Sequence, residues 1–518
     1  MIASNGVLVG HFSNPASILA TIPRAKYIRF KGKDLVLVPH KLDETLVLRN
    51  LGISAPSPIL TQYGWPGRYT PMAHQRVTAE FLTLNKRCFC LNEMRTGKTG
   101  SALWAADYLK NIGAIDEVLV ICPVSVIGVW VREGFAVTPH RTIETIIGTK
   151  AKRLRLLESE ASIKVINFDG LVSIQKQVAA YYKNKRVLVI VDEAATYRTY
   201  GTDRYKALRN IITPMTWLWL MTGTPTPNAP TDAWALAKLV NPKSVPASFK
   251  LFQETVMKQV GPYKWVPKKG SEQIAFNALQ PAIRFLRKDC LDIPKTTIID
   301  RAAEMSAEQL KVYDNLKRKM RHEDENNEAD ITAANAAVRL LKLQQVFCGI
   351  VKDDNGQGVN VNNEARLDLT RELVEENGGK AIIFVPFKLS MAQLAEYLGK
   401  YWRVAVVNGD VPKSKRDEIF DGFQRYNTVD VLIAHPGTTA HGLDLSASST
   451  IIWFAPTFSL ELYEQANARI QGPNQKDSCG IFHIGCHPLE WSIYETLSKK
   501  STISSALLAM YNKYVEDA

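Results

Sequence analysis

The length, composition and charge of the chain limit what it can be. Its 518 residues are too many for one hydrophobic core and predict about three domains, while 46% hydrophobic and 22% charged residues are typical of a folded, soluble protein. No apolar run reaches the length of a membrane span and no secretory signal begins the chain, so we expect a cytoplasmic protein. The net charge of +13 favours a polyanionic partner, nucleic acid first.

The seven cysteines are odd in number, scattered and mostly placed inside apolar runs, which predicts buried thiols in a reducing compartment. Cys88 and Cys90 are too close together for a zinc knuckle and have no partner pair, so we predict no such metal site. His483 and His487 flank Cys486, and we interpret both as strand and turn residues rather than ligands.

The sequence pattern of residues 1–60 predicts a small separate module. Residues 25–39 alternate between polar and apolar side chains and break at Gly32-Lys33, which predicts a β-hairpin with a basic tip. Aromatic residues interleaved with lysine and arginine suit contact with nucleic acid. An exposed edge strand with a charged face explains the same pattern equally well.

The segment at residues 92–99 lies between a predicted strand at 87–91 and the start of a predicted helix at 101–106. In such a setting, backbone N–H groups bind phosphate, a lysine reaches the terminal phosphates and a threonine hydroxyl ligates Mg²⁺; Lys98 and Thr99 fill these two positions. The first glycine of the usual Gly-x-x-x-x-Gly-Lys-Thr pattern is Asn92 here, so an ordinary turn is the alternative.

A second element favours the phosphate-binding interpretation. Residues 186–191 form a continuous apolar, β-branched run, typical of a strand buried on both faces, and the run ends in Asp192-Glu193. An acidic pair in that place can hold Mg²⁺ and orient an attacking water, although an acidic helix N-cap is the alternative. The two elements together predict nucleotide hydrolysis.

Further strands are predicted around these motifs, at residues 118–123, 163–168 and 217–221, and the last one leads into Thr222-Gly223-Thr224-Pro225. Strands that alternate with helices imply a parallel sheet covered on both faces. Functional loops then lie at the carboxyl ends of the strands, where all of these motifs fall.

The second half of the chain is predicted to hold another α/β lobe. Residues 246–345 are first aromatic and basic and then helical, and the polar stretch 321–330 predicts a mobile insert. The second α/β pattern begins near residue 364, with strands at 380–385, 403–407, 430–434 and 450–454. It has no phosphate loop, which implies that this lobe closes over a nucleotide held by the first.

The order of these motifs resembles that of superfamily-two helicases, and within them the Swi/Snf-type DNA translocases, over about residues 65 to 510. In the first lobe the matching residues are Gln75, the loop 92–99, Cys122-Pro123 with Trp130 and Glu133, and Thr222 through Asn228. In the second lobe they are 383–387, Asn408-Gly409 with Arg416 and Phe423, 442–445, and Gln465 through Arg469 with Gln475. The compact layout is similar to short phage-encoded or bacterial members, and the N-terminal module is similar to the small domain that precedes the motor in annealing helicases.

The resemblance implies an α/β fold with two tandem RecA-like lobes built on parallel sheets, a small N-terminal β-containing module and a helical insert between the lobes. The expected boundaries are 1–60 for the module, 61–245 for lobe one, 246–345 for the insert and 346–518 for lobe two. It also implies ATP and Mg²⁺ as cofactors.

The resemblance further assigns roles to individual residues. Those expected to bind the nucleotide are Gln75, Arg95, Thr96, Gly97, Lys98, Thr99 and Gly100. Those expected to act in catalysis are Lys98, Asp192, Glu193 and, as an arginine finger, Arg469, with Thr99 and Asp192 holding Mg²⁺. Those expected to contact the nucleic-acid backbone are Pro123, Ser125, Thr438 and Thr439, although these hydroxyls could equally cap helices.

Three residues depart from the family pattern. Ala195 stands where many relatives have a histidine that couples hydrolysis to the next motif. Gly472 stands where the last motif has a second arginine, which puts the hydrolysis rate in doubt. Arg95 occupies a glycine position, so we expect a less open loop.

These features predict a DNA-dependent ATPase that tracks along duplex DNA and remodels forks, branches or DNA-bound proteins. Replication or recombination proteins are expected as further partners, and we expect a monomer with no membrane contact. Two alternatives stay open: an RNA helicase of the same superfamily, and an ATP-gated nucleic-acid clamp with little turnover.

Overall fold

A computed structural model describes residues 2–4, 6–223, 225–226, 229–261, 265–290, 295–325, 333–352, 357–438, 444–472, 475–499 and 510. The chain divides into two compact units, Met1–Cys290 and Leu291–Ala518. No helix within the described ranges is both long and apolar enough to cross a membrane.

The first unit begins with an antiparallel sheet of four strands. Its elements are β1 (Ile2–Ser4), β2 (Val7–Gly10), α1 (Pro15–Thr21), β3 (Lys26–Phe30), β4 (Lys33–Pro39) and α2 (Leu42–Asn50), with the strands in the order β1-β2-β4-β3. The predicted hairpin is confirmed: β3 pairs with β4 around the two-residue turn Lys31-Gly32. Both turn residues have positive φ, 48° and 75°, as two-residue turns between twisted antiparallel strands require.

A seven-stranded parallel sheet forms the rest of the first unit. The elements up to its central strands are α3 (Pro58–Gln62), α4 (Ala73–Leu84), β5 (Arg87–Cys90), α5 (Lys98–Asn111), β6 (Glu117–Cys122), α6 (Ile127–Val137), β7 (Ile143–Thr145), α7 (Lys150–Leu157), β8 (Ile163–Asn167), α8 (Phe168–Tyr182) and β9 (Val187–Asp192). The remaining elements are α9 (Asp203–Ile211), β10 (Trp217–Met221), α10 (Ala233–Val240), α11 (Phe249–Val256), β11 (Met257–Gln259), β12 (Trp265–Pro267), α12 (Ser271–Ala278), β13 (Ala282–Ile283) and α13 (Arg287–Cys290).

The strand order of this sheet is β13-β5-β10-β9-β6-β8-β7, and β11 and β12 form a separate hairpin. Strand β9 is buried along its whole length because helices cover both faces of the sheet. Val189 and Val191 pack into one apolar cluster, while Leu188 and Ile190 pack into another. The continuous apolar run in the sequence reflects this double burial.

The second unit contains a six-stranded parallel sheet. Its elements are β14 (Thr296–Ala302), α14 (Ala307–Glu325), α15 (Ala333–Phe347), β15 (Ile350–Lys352), β16 (Gly358–Asn360), α16 (Glu364–Glu376), β17 (Ala381–Phe384), α17 (Lys388–Leu398), β18 (Val404–Val407), α18 (Lys413–Gln424), β19 (Val431–Ala434), β20 (Thr450–Trp453), α19 (Leu460–Asn467), β21 (Cys479–Gly485) and α20 (Pro488–Ser498). The strand order is β14-β21-β20-β17-β19-β18, and β15 pairs with β16 in a hairpin. Ile382 and Phe384 face one apolar cluster, and Ala381 and Ile383 face another. The predicted α/β fold with two RecA-like parallel sheets is confirmed.

The region 246–345, predicted as a helical insert, contains α11, α12, α14 and the greater part of α15, and it also gives one edge strand to each sheet. Strand β13 pairs with β5 in the first sheet, and β14 pairs with β21 in the second. The sequence does not reveal either strand, because β13 is only two residues long and β14 is a largely exposed edge strand without a continuous apolar run. Residues 326–330 of the predicted polar insert lie outside the described residues.

The cysteine and histidine positions agree with their apolar context. Cys88, Cys90, Cys122, Cys348 and Cys479 are buried. His483 lies on β21 and stacks on Tyr494, with ring centroids 4.0 Å apart. His487 caps α20, since its Nδ1 accepts the Leu489 N–H at 3.1 Å.

Candidate nucleotide-binding site

The loop between β5 and α5 has the backbone geometry of an anion site. Gly97 caps α5 with a left-handed φ of 73°, and a Cβ on Gly97 would lie 2.0 Å from the Gln75 amide nitrogen. Glycine therefore satisfies both the backbone conformation and the close approach. The free N–H groups of Lys98, Thr99 and Gly100 begin a 14-residue helix, where the helix dipole favours negative charge.

Helix α4 lies against this loop. The Gln75 amide nitrogen donates to the Gly97 carbonyl at 3.4 Å, and its oxygen accepts the Met72 N–H at 2.8 Å. His74 Nε2 lies 2.8 Å from the Thr96 carbonyl oxygen. The structure thus brings Gln75, which is predicted to bind the nucleotide, beside the predicted phosphate loop.

The Lys98 side chain folds back over the start of the loop. Its ammonium donates to the Asn92 carbonyl at 2.8 Å and lies 3.5 Å from the Glu93 carbonyl. The Thr96 hydroxyl donates to the same Glu93 carbonyl at 2.8 Å. The two Lys98 contacts hold its ammonium charge beside the carbonyls of Asn92 and Glu93, at the start of the loop.

Arg95 adopts the backbone conformation that its position in the loop demands. Its φ is 69°, in the left-handed region that L-residues enter at a cost of about 1–2 kcal/mol. The resemblance places a glycine here, and Arg95 reproduces the glycine-like turn.

The acidic pair lies at the same edge of the sheet as the loop. Met221 of β10 is in register with both Cys90 and Asp192, so β5, β9 and β10 end together. The Asp192 carboxylate is buried, accepts the Trp130 indole N–H at 3.0 Å and accepts the Glu193 N–H at 3.1 Å. Glu193 has left-handed backbone angles, φ 53° and ψ 50°, a conformation found often at functional sites.

Burial raises the pKa of the Asp192 carboxyl, while the Lys98 ammonium, the Trp130 indole and the Glu193 amide oppose that rise. The Lys98 charge therefore acts on Asp192, although the two residues belong to different motifs. The resemblance matched Trp130 without assigning it a partner, and its bond to Asp192 is visible only in the structure.

The next motif also reaches this edge. The Thr222 N–H donates to the Cys90 carbonyl at 3.1 Å, and a Cβ on Gly223 would lie 3.6 Å from Met94. Thr224, Pro227 and Asn228 lie outside the described residues. Ala195 is buried in a 3₁₀ turn after Glu193, where its carbonyl accepts the Arg198 guanidinium at 3.1 Å.

A contact that the sequence did not indicate joins the loop to the end of the first unit. The Glu93 N–H donates to the Phe285 carbonyl at 3.0 Å, and the Glu93 carboxylate accepts the Arg287 N–H at 2.8 Å. Phe285 carries no motif signal. Only the pairing of β13 with β5 brings this segment to the loop.

The predicted backbone-contact residues differ in their environments. Pro123 and the exposed Ser125 begin a 3₁₀ turn directly after β6, at the carboxyl edge of the first sheet. In the second unit, the Thr438 hydroxyl lies 2.7 Å from the His435 carbonyl and 3.2 Å from that of Val407. The Thr438 hydroxyl therefore donates its hydrogen bond within the turn that follows β19. Thr439 lies outside the described residues.

The last motif begins in the final turn of helix α19 and continues beyond it, in the second unit. The Arg469 side chain is buried, and its Nε donates to the Gln465 carbonyl at 3.0 Å. The Gln475 amide nitrogen donates to the carbonyls of Ser448 and Ile470, at 3.0 and 3.1 Å. The backbone around Arg469 is therefore held by side-chain contacts.

Comparison with known proteins agrees with this arrangement. A SNF2-related domain model matches residues 74–351 and a helicase conserved C-terminal domain model matches residues 365–471. The chain is 26% identical over 477 residues to protein p41 of Acyrthosiphon pisum secondary endosymbiont phage 1, covering 85% of this chain and 98% of that protein. It is 25% identical over 401 residues to an uncharacterized ATP-dependent helicase of Mycoplasma genitalium, covering 76% of this chain but only 37% of that protein.

A solved structure described as the Sulfolobus solfataricus SWI2/SNF2 ATPase core in complex with dsDNA aligns with 87% of this chain and 98% of its own, at 19% identity and a TM-score of 0.42. The SNF2-related model by itself covers more than half of the chain, and the nucleotide loop and acidic pair lie within the matched residues. The chain therefore belongs to the SNF2-related family of ATP-dependent helicases and is an ATP-hydrolysing enzyme.

Proposed function

We propose that this chain is a DNA-dependent ATPase that moves along duplex DNA and remodels forks, branched DNA or DNA–protein complexes. The observation that carries the proposal is the convergence of Lys98, Asp192 and Thr222 at one edge of a parallel sheet in a SNF2-family chain. In α/β sheets, ligands bind at the carboxyl ends of the strands.

The residues present suit MgATP. The N-terminal N–H groups of α5 are ready to bind phosphate oxygens, and the Lys98 ammonium needs only to leave the Asn92 carbonyl to reach them. The Thr99 hydroxyl and the Asp192 carboxylate are hard oxygen ligands of the kind that Mg²⁺ prefers. When bound, Mg²⁺ neutralises charge on the phosphate oxygens.

The other roles follow from the side chains. Glu193 orients the attacking water, and its strained backbone fixes the direction of its carboxylate. Arg469 is proposed to stabilise the charge that develops on the γ-phosphoryl group. Cycles of ATP hydrolysis then alternately strengthen and weaken the contacts between the protein and the nucleic acid.

DNA contact is proposed to be mainly with phosphates. The net charge of +13 and the exposed Ser125 beside Pro123 support binding that does not depend on base sequence. Thr438 and Thr439 complete the proposed contacts, with the Thr438 hydroxyl exchanging its carbonyl partner for a phosphate. Binding of this kind falls steeply with salt.

A second candidate, an ATP-gated clamp with little turnover, is favoured by two residues. Ala195 is a buried methyl group where many relatives have a histidine, and Gly472 provides no second arginine in the last motif. Such a protein would bind ATP and DNA, but its ATP hydrolysis would be slow and would not respond to the nucleic acid.

Steady-state ATP hydrolysis at one fixed, low salt concentration tests the proposal. The protein is assayed alone and with blunt duplex, forked DNA, single-stranded DNA or RNA, and compared with Lys98→Ala, Glu193→Gln and, as a control, Lys176→Ala on the exposed face of α8. We expect strong stimulation by duplex or forked DNA that both site variants abolish and the control retains. Displacement of a third strand from a triplex then reports movement along the duplex.

The other outcomes contradict the proposal. Stimulation by RNA alone identifies an RNA helicase. Measurable ATP and DNA binding without stimulation by any polymer identifies the clamp.

A further inference from the structure

The β3–β4 hairpin presents a surface that the nucleotide site does not use. Successive strand residues face opposite sides of a sheet, so one side of the hairpin carries alternate residues of each strand. We call this side the outer ladder, and its members are Lys26, Ile28 and Phe30 on β3 and, directly opposite, Leu37, Leu35 and Lys33 on β4. The opposite side carries Val36 and Val38, which pack into the core of the small sheet. The outer ladder is thus an apolar stripe with a lysine at each end.

The aromatic ring near the tip of this ladder is open to solvent. Phe30 is 58% exposed and is paired across the hairpin with Lys33. The Lys31 ammonium lies 5.5 Å from the centre of the Phe30 ring. A large apolar ring held beside two cations is suited to a ligand that is both flat and anionic.

The charge of the hairpin is strongly positive. Residues 26–34 contain four cations (Lys26, Arg29, Lys31 and Lys33) and one carboxylate, Asp34, which gives a net charge of +3. Asp34 is already engaged, since it accepts the Tyr27 hydroxyl at 2.5 Å and lies 3.9 Å from Arg29. Within the part of the chain that the structure describes, the three lysines have no carboxylate within ion-pair distance.

Contacts made by α2 and by the residues beyond β4 connect the small sheet to α3 and α4. The Arg49 guanidinium pairs with Glu80 of α4, the helix that carries Gln75. Glu80 also accepts the Ser57 N–H at 3.1 Å, and the His40 carbonyl at the end of β4 accepts the Gln62 amide at 2.8 Å. Strand β4 itself is paired with β2 on one side and β3 on the other, and its Val36 and Val38 are buried. This pairing orders the ladder before a ligand arrives, which lowers the entropy cost of binding.

We propose that the outer ladder binds single-stranded nucleic acid, with an unpaired base stacked on Phe30 and the adjoining phosphates on Lys26, Lys31 and Lys33. Bases in the interior of a duplex are stacked on both sides, so away from the duplex ends a protein ring can stack only on an unpaired base. Such a stack contributes about 1–3 kcal/mol per base and tolerates any sequence. The hairpin thus selects DNA that has a single-stranded arm.

This inference rests on the proposed function in one respect, the choice of DNA as the polymer. It adds the DNA structure that the enzyme prefers: a duplex for the motor with a single strand for the hairpin. A protein partner seated on the apolar stripe is the rival occupant.

Fluorescence anisotropy with the full chain tests this inference. Labelled single-stranded DNA, forked duplex and blunt duplex are titrated with the wild type, Phe30→Ala, Phe30→Tyr and Lys31→Ala/Lys33→Ala. Tyr426→Ala is the matched control, because Tyr426 is a 68% exposed ring outside the ladder. Near-identical unfolding curves for all variants verify that the exposed substitutions leave the fold intact.

We expect Phe30→Ala to weaken single-strand and fork binding by about fivefold or more, with blunt-duplex binding changed by less than about twofold. Phe30→Tyr and Tyr426→Ala keep wild-type affinity for the single strand. The double lysine variant lowers the salt slope for single-stranded DNA by about 1.4, since each single-strand phosphate contact contributes about 0.7.

The inference is overturned if Phe30→Ala leaves single-strand affinity unchanged, as it would with a protein partner, or weakens blunt-duplex binding equally. The experiments distinguish a failure of this inference from a failure of the proposed function. If no polymer stimulates hydrolysis while Phe30→Ala still weakens single-strand binding, the motor is contradicted and the hairpin site stands.

Discussion

The side-chain oxygen of Asn92 accepts the backbone N–H of Phe285 at 2.9 Å, although 193 positions separate the two residues. The Asn92 amide nitrogen donates to the Thr78 hydroxyl at 2.9 Å, and the Asn92 carbonyl accepts the Lys98 ammonium. One residue thus connects Lys98, helix α4 and the segment that leads to the second unit at Leu291.

We expect Asn92→Leu to lower the free energy of unfolding by about 1–3 kcal/mol, because it leaves the Phe285 N–H unpaired next to a buried residue. ATP affinity should fall as well, since the carbonyl that positions Lys98 shifts. Denaturant unfolding and nucleotide titration measure the two effects. Asn210→Leu, which removes an exposed bond to Gln175, is the control and should change stability by less than about 0.5 kcal/mol. Equal effects in both variants would contradict the role of Asn92.

The left-handed backbone at Arg95 predicts an unusual benefit from glycine. Arg95→Ala and Arg95→Gly remove the same side-chain contacts, but only glycine relieves the strain at φ 69°. We expect Arg95→Gly to be more stable than Arg95→Ala by about 0.5–1 kcal/mol, after the entropy cost of glycine is included. Denaturant midpoints compare the two. An alanine variant as stable as the glycine variant would show that the loop relaxes when the arginine is lost.

The bond from Trp130 to Asp192 predicts a change in pH dependence. The indole N–H stabilises the ionised carboxylate, and burial already raises the Asp192 pKa, so Trp130→Phe should raise that pKa further. Since the ionised form is the one that we propose holds Mg²⁺, the acidic limb of the kcat/KM profile should move to higher pH. Trp104→Phe is the control, because the Trp104 indole donates to the uncharged Pro66 carbonyl. If the acidic limb of the Trp130→Phe profile does not move, the ionisation of Asp192 is not what limits activity at low pH.

A buried ion pair in the second unit predicts a large loss of stability. Arg366 and Glu490 are both fully buried and pair directly, and Glu490 also accepts the Cys486 N–H at 2.8 Å. Arg366→Met leaves the carboxylate without its cation and should cost about 3–5 kcal/mol in unfolding free energy. Arg204→Met, which breaks the exposed pair with Asp169, should cost less than about 1 kcal/mol.

A second variant separates charge from packing at this pair. Arg366→Met/Glu490→Leu removes both charges and should recover a large part of the stability that the single variant loses. Urea unfolding of the three variants gives the comparison. If the double variant is no more stable than Arg366→Met, the cost comes from lost packing.

The sequence by itself determined the features that are local along the chain. The run at 186–191 predicted a buried parallel strand, because a strand covered on both faces must be apolar throughout, and the structure has β9 at Val187–Asp192. The hairpin around Gly32 and the loop before Lys98 were also read from adjacent residues. Because parallel strands end together, the convergence of the motifs at one edge followed from the same patterns.

Only the tertiary structure decided the contacts between distant segments. Strand β14 is an exposed edge strand and β13 has two residues, so neither carries a periodic signal, and the boundary that divides 246–345 followed from strand pairing. Trp130 meets Asp192, and Asn92 meets Phe285, because the order β13-β5-β10-β9-β6 brings their strands and flanking helices to one edge. A hydrogen bond needs only one donor and one acceptor, and no pattern in the neighbouring residues shows which distant partner packing will supply.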